Sequence, residues 1–270
     1  MIGLRDPEAR AAYGRDGYVV LPALTDEELA GLRRAWSELD GPRPPGKFAV
    51  TSMSSDEGYR RAVDAALRAV LGPVLTRLTT GYVPLAGLFN HKGDDLPGTV
   101  VDLHQDWSFV DEPTHDSFAL WCPLVPATSA SGGLLVLPGS HRLNPHPRPA
   151  NIGYATPYAT LLPEMGELLV PLDVDPGQVV LFSHRLFHAS GPNFLGTERP
   201  VATLVCVPEG ARTRIYLRRG DDLEVIGVDR DALMSFQVGV EEPRGPSLGR
   251  VPYTWASVGL PELRAMTSPK

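Results

Sequence analysis

The chain has 270 residues, 43% of them hydrophobic, and a formal net charge of −7. This length fits one large domain with a substantial core, and the acidic balance excludes the basic surface that nucleic-acid binding requires. No apolar run approaches the roughly 20 residues of a membrane span, and the first residues show no secretory pattern, so we expect a cytoplasmic protein.

Two helices are predicted in the first third of the chain. Thr25 and Glu28 form a capping box, and apolar residues recur at helical spacing after it. A second helix is expected after Asp56. Its buried side is formed by Tyr59, Val63, Ala66, Leu67 and Val70. We expect both helices to pack on the outside of the core and to carry no chemistry.

From about Leu75 onward, short apolar and β-branched runs predict strands. The candidates are Leu75 to Asn90, Val100 to Asp106, Ser117 to Pro123, Leu134 to Leu137, Glu167 to Pro171, Gln178 to Phe182, Pro200 to Val207, and Arg212 to Leu217. Eight short strands separated by turn residues favour a jelly roll. Two cysteines, Cys122 and Cys206, lie in such runs and are predicted to be buried free thiols.

Three other segments are predicted to be loops or additions to this core. Residues 91–99 contain Lys92 and turn residues, so they are expected to be exposed. Residues 139–166 are long enough for a functional lid or a flexible loop. Residues from about 220 to 264 either cap the mouth of the barrel, make a subunit contact, or pack on its outer wall.

A histidine and an aspartate two residues apart, His104 and Asp106, carry the clearest chemical signal. On the predicted strand from Val100 to Asp106, alternate side chains point to the same side. Two histidines and one carboxylate can hold a ferrous ion and leave the opposite face open for a co-substrate and O₂. The triplet alone is a weak signal, because a histidine and an aspartate on the surface of a half-exposed strand are more common, so a metal site needs a further histidine.

That histidine lies in the stretch from Gly177 to Val207. A Pro-Gly turn precedes the apolar run Gln178 to Phe182, which predicts a buried strand. His188 follows, and then a Gly-Pro-Asn turn. A reversal at this turn places His188 and Arg199 on adjacent strands, where the guanidinium can grip a carboxylate through two hydrogen bonds.

His184 is the alternative third ligand, because it lies four residues before His188. Ser190 and Asn193 after His188, and the eleven-residue step to Arg199, favour His188.

Taken together, these segments resemble the phytanoyl-CoA dioxygenase family of iron(II)/2-oxoglutarate oxygenases. The resemblance covers roughly residues 13 to 208. The matching segments are Asp16 to Pro22, Leu103 to Asp106, Leu135 to His141, Pro176 to Phe182, and His188 to Ser190 with Asn193 and Arg199. It implies a mainly β, double-stranded β-helix (a cupin-like jelly roll) with flanking N-terminal helices. We expect one domain over residues 1–270, with a core at about 13–218 and a lid or subunit-contact extension at 219–270.

The resemblance also implies roles for particular residues. It assigns His104, Asp106 and His188 to the iron, and hence to catalysis. It assigns Arg199 and Ser190 to the far carboxylate of 2-oxoglutarate. Two more family positions that help to bind 2-oxoglutarate correspond to Trp121 and Lys47. From the residues alone, Trp107 and Phe109 either line the substrate side or pack in the core, and Asn90 either faces the co-substrate or makes a structural hydrogen bond.

The activity implied is that of a non-haem iron(II)/2-oxoglutarate-dependent dioxygenase that hydroxylates a small molecule. O₂ is the oxidant, ascorbate a reductant, and succinate and CO₂ are released. In related halogenases a small residue replaces the carboxylate, so Asp106 favours oxygenation. Desaturation, epimerisation or ring formation on the same scaffold, and a barrel that only binds a ligand, are alternatives.

The expected partner is a small-molecule substrate, for example a natural-product intermediate, and neither nucleic acid nor a membrane. The protein is expected to be a monomer or a homodimer. Whether the substrate is free, linked to coenzyme A or bound to a carrier stays open. Five arginines could meet an anionic substrate: Arg142, Arg148, Arg212, Arg214 and Arg218.

Overall fold

The computed structural model describes residues 3–39, 41, 47–93, 96–143 and 146–267. Within these ranges the chain forms six α-helices. They are α1 (Pro7–Asp16), α2 (Asp26–Glu38), α3 (Glu57–Leu78), α4 (Leu162–Glu167), α5 (Arg230–Ser235) and α6 (Leu260–Thr267). Both predicted helices are confirmed, because Thr25 and Glu28 form the capping box of α2 and Asp56 caps α3.

Helix α3 is longer than the sequence predicts. The sequence predicts a strand from Leu75, and this is wrong for residues 75–81, since α3 ends at Leu78 and the next strand begins at Tyr82. The helix continues through Pro73 because its buried stripe continues. Leu67, Leu71 and Leu75 follow one another at four-residue spacing and are almost completely buried, and this spacing keeps them on one helical face.

The same ranges contain thirteen strands, all paired antiparallel in three sheets. They are β1 (Tyr18–Pro22), β2 (Phe48–Val50), β3 (Tyr82–Lys92), β4 (Val101–His104), β5 (Phe118–Pro123), β6 (Leu134–Val136), β7 (Val170–Pro171), β8 (Gln178–Ser183), β9 (His188–Ser190), β10 (Arg199–Pro208), β11 (Arg214–Arg219), β12 (Asp222–Gly227) and β13 (Ser247–Pro252). The major sheet has the order β1-β8-β5-β10-β3-β2, the minor sheet β4-β9-β6-β7, and the third sheet β11-β12-β13.

The central strands of the major sheet are buried on both faces, which explains their nearly continuous apolar sequence. On β5, Leu120 and Cys122 pack with the helices in one core cluster. Their neighbours Ala119 and Trp121 point to the opposite face and pack in a second cluster. Helix α3 approaches β3 at Gly87, where an added Cβ would lie 3.0 Å from the Cβ of Leu67.

The second cluster fills the space between the two sheets. It joins Trp121 and Val180 of the major sheet to Leu134 and Val136 of the minor sheet. Two antiparallel sheets that face each other over a shared core are the predicted double-stranded β-helix, and this prediction is confirmed.

Several boundaries differ from those predicted. Strand β4 ends at His104, so Asp106 lies two residues beyond the strand. The run Glu167 to Pro171 contains the end of α4 and the two-residue strand β7. Pro163, the second residue of α4, is tolerated because a proline near a helix N-terminus lacks only a donor that has no partner there.

The two cysteines match their prediction, since both are free and buried. In the described part of the chain, no helix has the length and apolar character needed to cross a membrane.

Candidate metal and co-substrate site

His104, Asp106 and His188 converge at one end of the space between the sheets. Strand pairing sets the two histidines directly opposite each other, His104 at the end of β4 and His188 at the start of β9. Oδ1 of Asp106 lies 3.9 Å from Nε2 of each histidine. One ligand atom from each residue lies within 4.8 Å of the others, so a single ion is within reach of all three.

Main-chain carbonyl groups orient both imidazole rings. Nδ1 of His104 lies 2.7 Å from the oxygen of Asp102, and Nδ1 of His188 lies 3.0 Å from the oxygen of Leu186. A carbonyl oxygen can only accept, so Nδ1 must carry the proton. The lone pair of each neutral ring is therefore on Nε2, which is the atom that faces Asp106.

Burial also keeps both rings neutral. Desolvation, and after it the neighbouring His188, lower the pKa of His104 to about 4. Desolvation likewise lowers the pKa of His188 to about 4. A neutral imidazole is the form that binds a metal ion, so the donor set fits a divalent cation.

Arg199 lies in the same cavity as the three candidate ligands. Its side chain is buried, and its Nε and Nη1 atoms have no hydrogen-bond partner among the described residues. Burial lowers its pKa to about 10, which leaves it charged at neutral pH. Since a buried charge requires compensation, these two donors fit the carboxylate of an anionic ligand.

The other predicted co-substrate residues fall into two groups. Ser190 and Trp121 line the cavity and are buried, and the guanidinium carbon of Arg199 lies 5.7 Å from the centre of the Trp121 ring. Lys47 is exposed just before β2 and is not among the residues that line the cavity. The roles of all the candidate site residues stay predictions.

His188 and Arg199 do not lie on adjacent strands, so that expectation is wrong. His188 belongs to β9 of the minor sheet, whereas Arg199 belongs to β10 of the major sheet. The link between them crosses from one sheet to the other. Asn193 holds it in place, because its side-chain amide donates to the oxygens of Gly93 and Thr197. The two candidate side chains thus face the cavity from different sheets.

His184 also lines the cavity but is not in the metal-binding cluster. Its Nδ1 lies 2.8 Å from Oγ of Ser117. Desolvation lowers its pKa to about 4, so it adds a neutral polar group to the wall.

Sequence reasoning missed Lys92, which it assigned to an exposed loop. Lys92 is completely buried at the end of β3, opposite Arg199 in the strand register. Its ammonium group donates to the oxygen of Gly191. Desolvation, and then the charge of Arg199, lower its pKa to about 7. Lys92 is buried because β3 continues its pairing with β10 two residues beyond the predicted end at Asn90, and only the fold reveals this extension.

A buried ion pair, Glu112–Arg148, was also missed. Nη1 of Arg148 lies 2.7 Å from Oε2 of Glu112, and Nη2 contacts the other carboxylate oxygen. Nε of Arg148 donates to the main-chain oxygen of Asp106, and Nη1 donates to that of His146. Arg148 belongs to the long loop 139–166, so this pair connects that loop to the backbone of a candidate metal ligand.

The cavity measures about 700 Å³. Trp107 and Phe109 both line it, and so does Asn90, whose side-chain amide donates to Thr203. The long loop contributes Tyr154, whose ring centre lies 4.4 Å from that of His104. Residues 238–243 of the C-terminal region line the cavity as well.

Comparison with solved structures supports this architecture. The carbocyclase SnoK from nogalamycin biosynthesis is 17% identical, with a TM-score of 0.57, over 78% of this chain and 87% of that chain. EctD from S. alaskensis, crystallised with 2-oxoglutarate and 5-hydroxyectoine, is 25% identical with a TM-score of 0.54, over 77% and 78% of the two chains.

Two curated relatives are similar in sequence over shorter stretches. Both are 1-deoxypentalenic acid 11-beta-hydroxylases. The protein from Streptomyces arenae is 33% identical over 105 residues, and that from Streptomyces exfoliatus is 30% identical over 127 residues. These matches cover 36% and 44% of this chain, and only 36% and 42% of the relatives' own length.

A family model matches most of the chain. The model for phytanoyl-CoA dioxygenase (PhyH) matches residues 13–200, which is more than two-thirds of the chain and contains every candidate site residue named above up to Arg199. The chain therefore belongs to the phytanoyl-CoA dioxygenase family, as its sequence predicts.

Proposed function

We propose that this protein is an iron(II)/2-oxoglutarate-dependent oxygenase that hydroxylates an unactivated C–H bond of a small molecule. One observation carries the proposal. A cluster of two neutral histidines and one aspartate shares a cavity with a buried arginine whose donors lack partners. Such a pair of sites suits a ligand that chelates a metal at one end and presents a carboxylate at the other.

In this proposal His104, Asp106 and His188 hold the iron. When the cofactors are bound, the chemistry that they supply is the oxidation of a substrate C–H bond by O₂, coupled to the conversion of 2-oxoglutarate to succinate and CO₂. The main-chain carbonyls of Asp102 and Leu186 keep both Nε2 atoms directed at the ion. Three protein ligands would leave coordination positions of the ion open for exchangeable groups.

Arg199 orients the co-substrate. Its unpartnered donors bind the carboxylate remote from the metal, with Ser190 and Trp121 beside them, and Lys92 stabilises the adjacent turn through Gly191. Because β10 is a central strand of the major sheet, the guanidinium is fixed before the ligand arrives, which lowers the entropic cost of binding. The apolar wall of the cavity limits access of water to the reacting centre.

Hydroxylation is preferred to other outcomes because the carboxylate ligand is present and because two relatives carry hydroxylase names. SnoK and SnoN, a carbocyclase and an epimerase by name, share the fold, so ring formation and epimerisation are the alternatives. The substrate is proposed to be a natural-product intermediate. Product mass separates the outcomes, since hydroxylation adds one oxygen atom, ring formation or desaturation removes two hydrogen atoms, and epimerisation changes neither.

The test is succinate formation from 2-oxoglutarate with iron(II), ascorbate and O₂. Enzymes of this kind release some succinate even without substrate, so the assay does not require the substrate to be known. We expect iron-dependent succinate from the wild type and from Arg61→Ala, which alters an exposed ion pair on α3. Asp106→Ala should give only background. If the wild type bound 2-oxoglutarate but formed no more succinate than Asp106→Ala, the protein would be a barrel that binds a ligand without catalysing a reaction.

A further inference from the structure

The charges around the cavity are unequally distributed. Arg199 is the one arginine or lysine among the described residues that line it, whereas Asp106, Glu241 and Glu242 all contribute carboxylates. Glu242 is paired with Arg219 at 2.6 Å. Glu241 makes no ion pair within the described ranges, and its carboxylate accepts a hydrogen bond from a main-chain amide 2.8 Å away. The outer part of the cavity is therefore acidic.

The inner part is neutral once the cofactors of the proposed function are in place. The two positive charges of iron and the one of Arg199 balance the two negative charges of 2-oxoglutarate and the one of Asp106. Among the described residues, no cationic side chain of the lining is then left to meet an anionic substrate. A carboxylate or phosphate held in this cavity would be desolvated without compensation, which is strongly unfavourable.

The arginines that the sequence offered as sources of this charge lie outside the cavity lining. None of the five arginines named from the sequence lines the cavity. Arg148 is paired with Glu112, and Arg214 lies 3.8 Å from Asp111. Arg218 lies over the ring of Tyr253, 4.9 Å from its centre.

One wall of the cavity is apolar. Its residues belong to one hydrophobic cluster and its margin: Leu88, Trp107, Phe109, Val205, Leu217 and Phe236. At the mouth, Met53 and Val240 are also exposed apolar side chains that line the cavity. A ligand that covers these surfaces removes apolar area from water, which favours binding by about 25 cal/mol per Å².

We propose that the substrate is a compact, uncharged and largely apolar molecule, bound in free form and not as a conjugate of coenzyme A or of a phosphopantetheine carrier. This inference rests on the proposed function, because the charge balance includes the cofactors. Phosphate groups are normally bound by arginine, lysine or helix N-termini, and the rim of this cavity presents Glu241 instead.

A matched pair of fluorescent dyes tests the charge preference. N-phenyl-1-naphthylamine is neutral, and 8-anilinonaphthalene-1-sulfonate has the same rings with one sulfonate. Both are titrated into the protein loaded with nickel(II) and 2-oxoglutarate. We expect the neutral dye to bind at least about tenfold more tightly, equivalent to about 1.4 kcal/mol for the uncompensated charge. Glu241→Lys should reduce this ratio at least about threefold, and Glu209→Lys, an exposed residue outside the cavity lining, should leave it unchanged.

Val238→Trp locates the dye, because Val238 is a half-buried residue of the outer cavity wall. This variant should weaken binding of the neutral dye. The inference would be overturned if the sulfonated dye bound as tightly as the neutral dye, or more tightly, at a site where Val238→Trp weakens binding. It would also be overturned if Val238→Trp did not affect binding of the neutral dye. Octanoyl-CoA that binds as tightly as the neutral dye would also overturn it. Dye binding needs no turnover, so the two proposals can be tested separately. If the wild type forms succinate in an iron-dependent reaction but does not prefer the neutral dye, the proposed substrate class is refuted and the proposed oxygenase activity is not.

Discussion

Replacement of Arg148 by methionine is expected to lower the free energy of unfolding by about 3–5 kcal/mol, because the Glu112 carboxylate then stays buried without its cation. The two side chains are only 8% and 3% exposed, so water cannot replace the lost partner. Arg148 also donates to the main-chain oxygens of Asp106 and His146. Each acceptor left without a donor costs about 1–3 kcal/mol. Because contributions within one hydrogen-bond network are not additive, we expect a loss at the upper end of the range and not the full sum.

The double variant Glu112→Leu/Arg148→Met separates these contributions. An apolar pair in place of a buried ion pair is often neutral or stabilising, so only the unpaired carbonyl groups should remain costly. We expect the double variant to be more stable than Arg148→Met alone. Arg61→Ala, which breaks ion pairs of a 40% exposed side chain, should cost no more than about 1 kcal/mol. The assay is urea unfolding of the metal-free proteins at pH 7, followed by circular dichroism. A double variant no more stable than Arg148→Met would refute the reasoning.

Three further predictions concern the site. His104→Ala and Asp106→Ala should each abolish tight metal binding, measured by competition with a coloured chelator, because two ligands rarely hold a ferrous ion. Arg199→Met should weaken 2-oxoglutarate binding by about tenfold or more, since a charge-assisted hydrogen bond contributes about 1.5–3 kcal/mol. Calorimetry should show that the affinity for the metal is unchanged. An unchanged affinity for 2-oxoglutarate would contradict the proposed role of Arg199. Lys92→Met should alter the pH dependence of stability. Burial lowers the pKa of Lys92 from 10.5 to about 7, so between these values the unfolded chain binds more protons, and the wild type should gain stability relative to the variant as pH rises. Lys47→Met, which replaces an exposed lysine, is the control, and its stability in urea unfolding should follow that of the wild type across this window.

The parts of the site that the sequence predicts are those with a local sequence pattern or a motif that resembles the family. His104 and Asp106 share one short segment, and Arg199 follows His188 at a recognisable spacing. The jelly roll follows from eight short runs with turn residues between them. These features depend on side-chain periodicity and turn chemistry, which are properties of neighbouring residues.

The parts that the sequence does not predict depend on contacts between distant segments. The residues around Lys92 are typical of an exposed turn. Lys92 is buried nonetheless, because β3 pairs with both β2 and β10. Glu112 and Arg148 are 36 residues apart in polar loops, and neither loop reveals its partner. The assumed hairpin between His188 and Arg199 fails because a turn signal does not say whether the chain returns to the same sheet.

The register of the minor sheet has a consequence for handling the protein. His104 and His188, 84 positions apart along the chain, are direct partners on β4 and β9, which have only four and three residues. An ion bound by both side chains would link the two strands and stabilise one of the shortest strand pairings in the fold. Treatment with EDTA should therefore loosen this edge first, and faster amide hydrogen exchange at residues 101–104 and 188–190 would report it before any global unfolding.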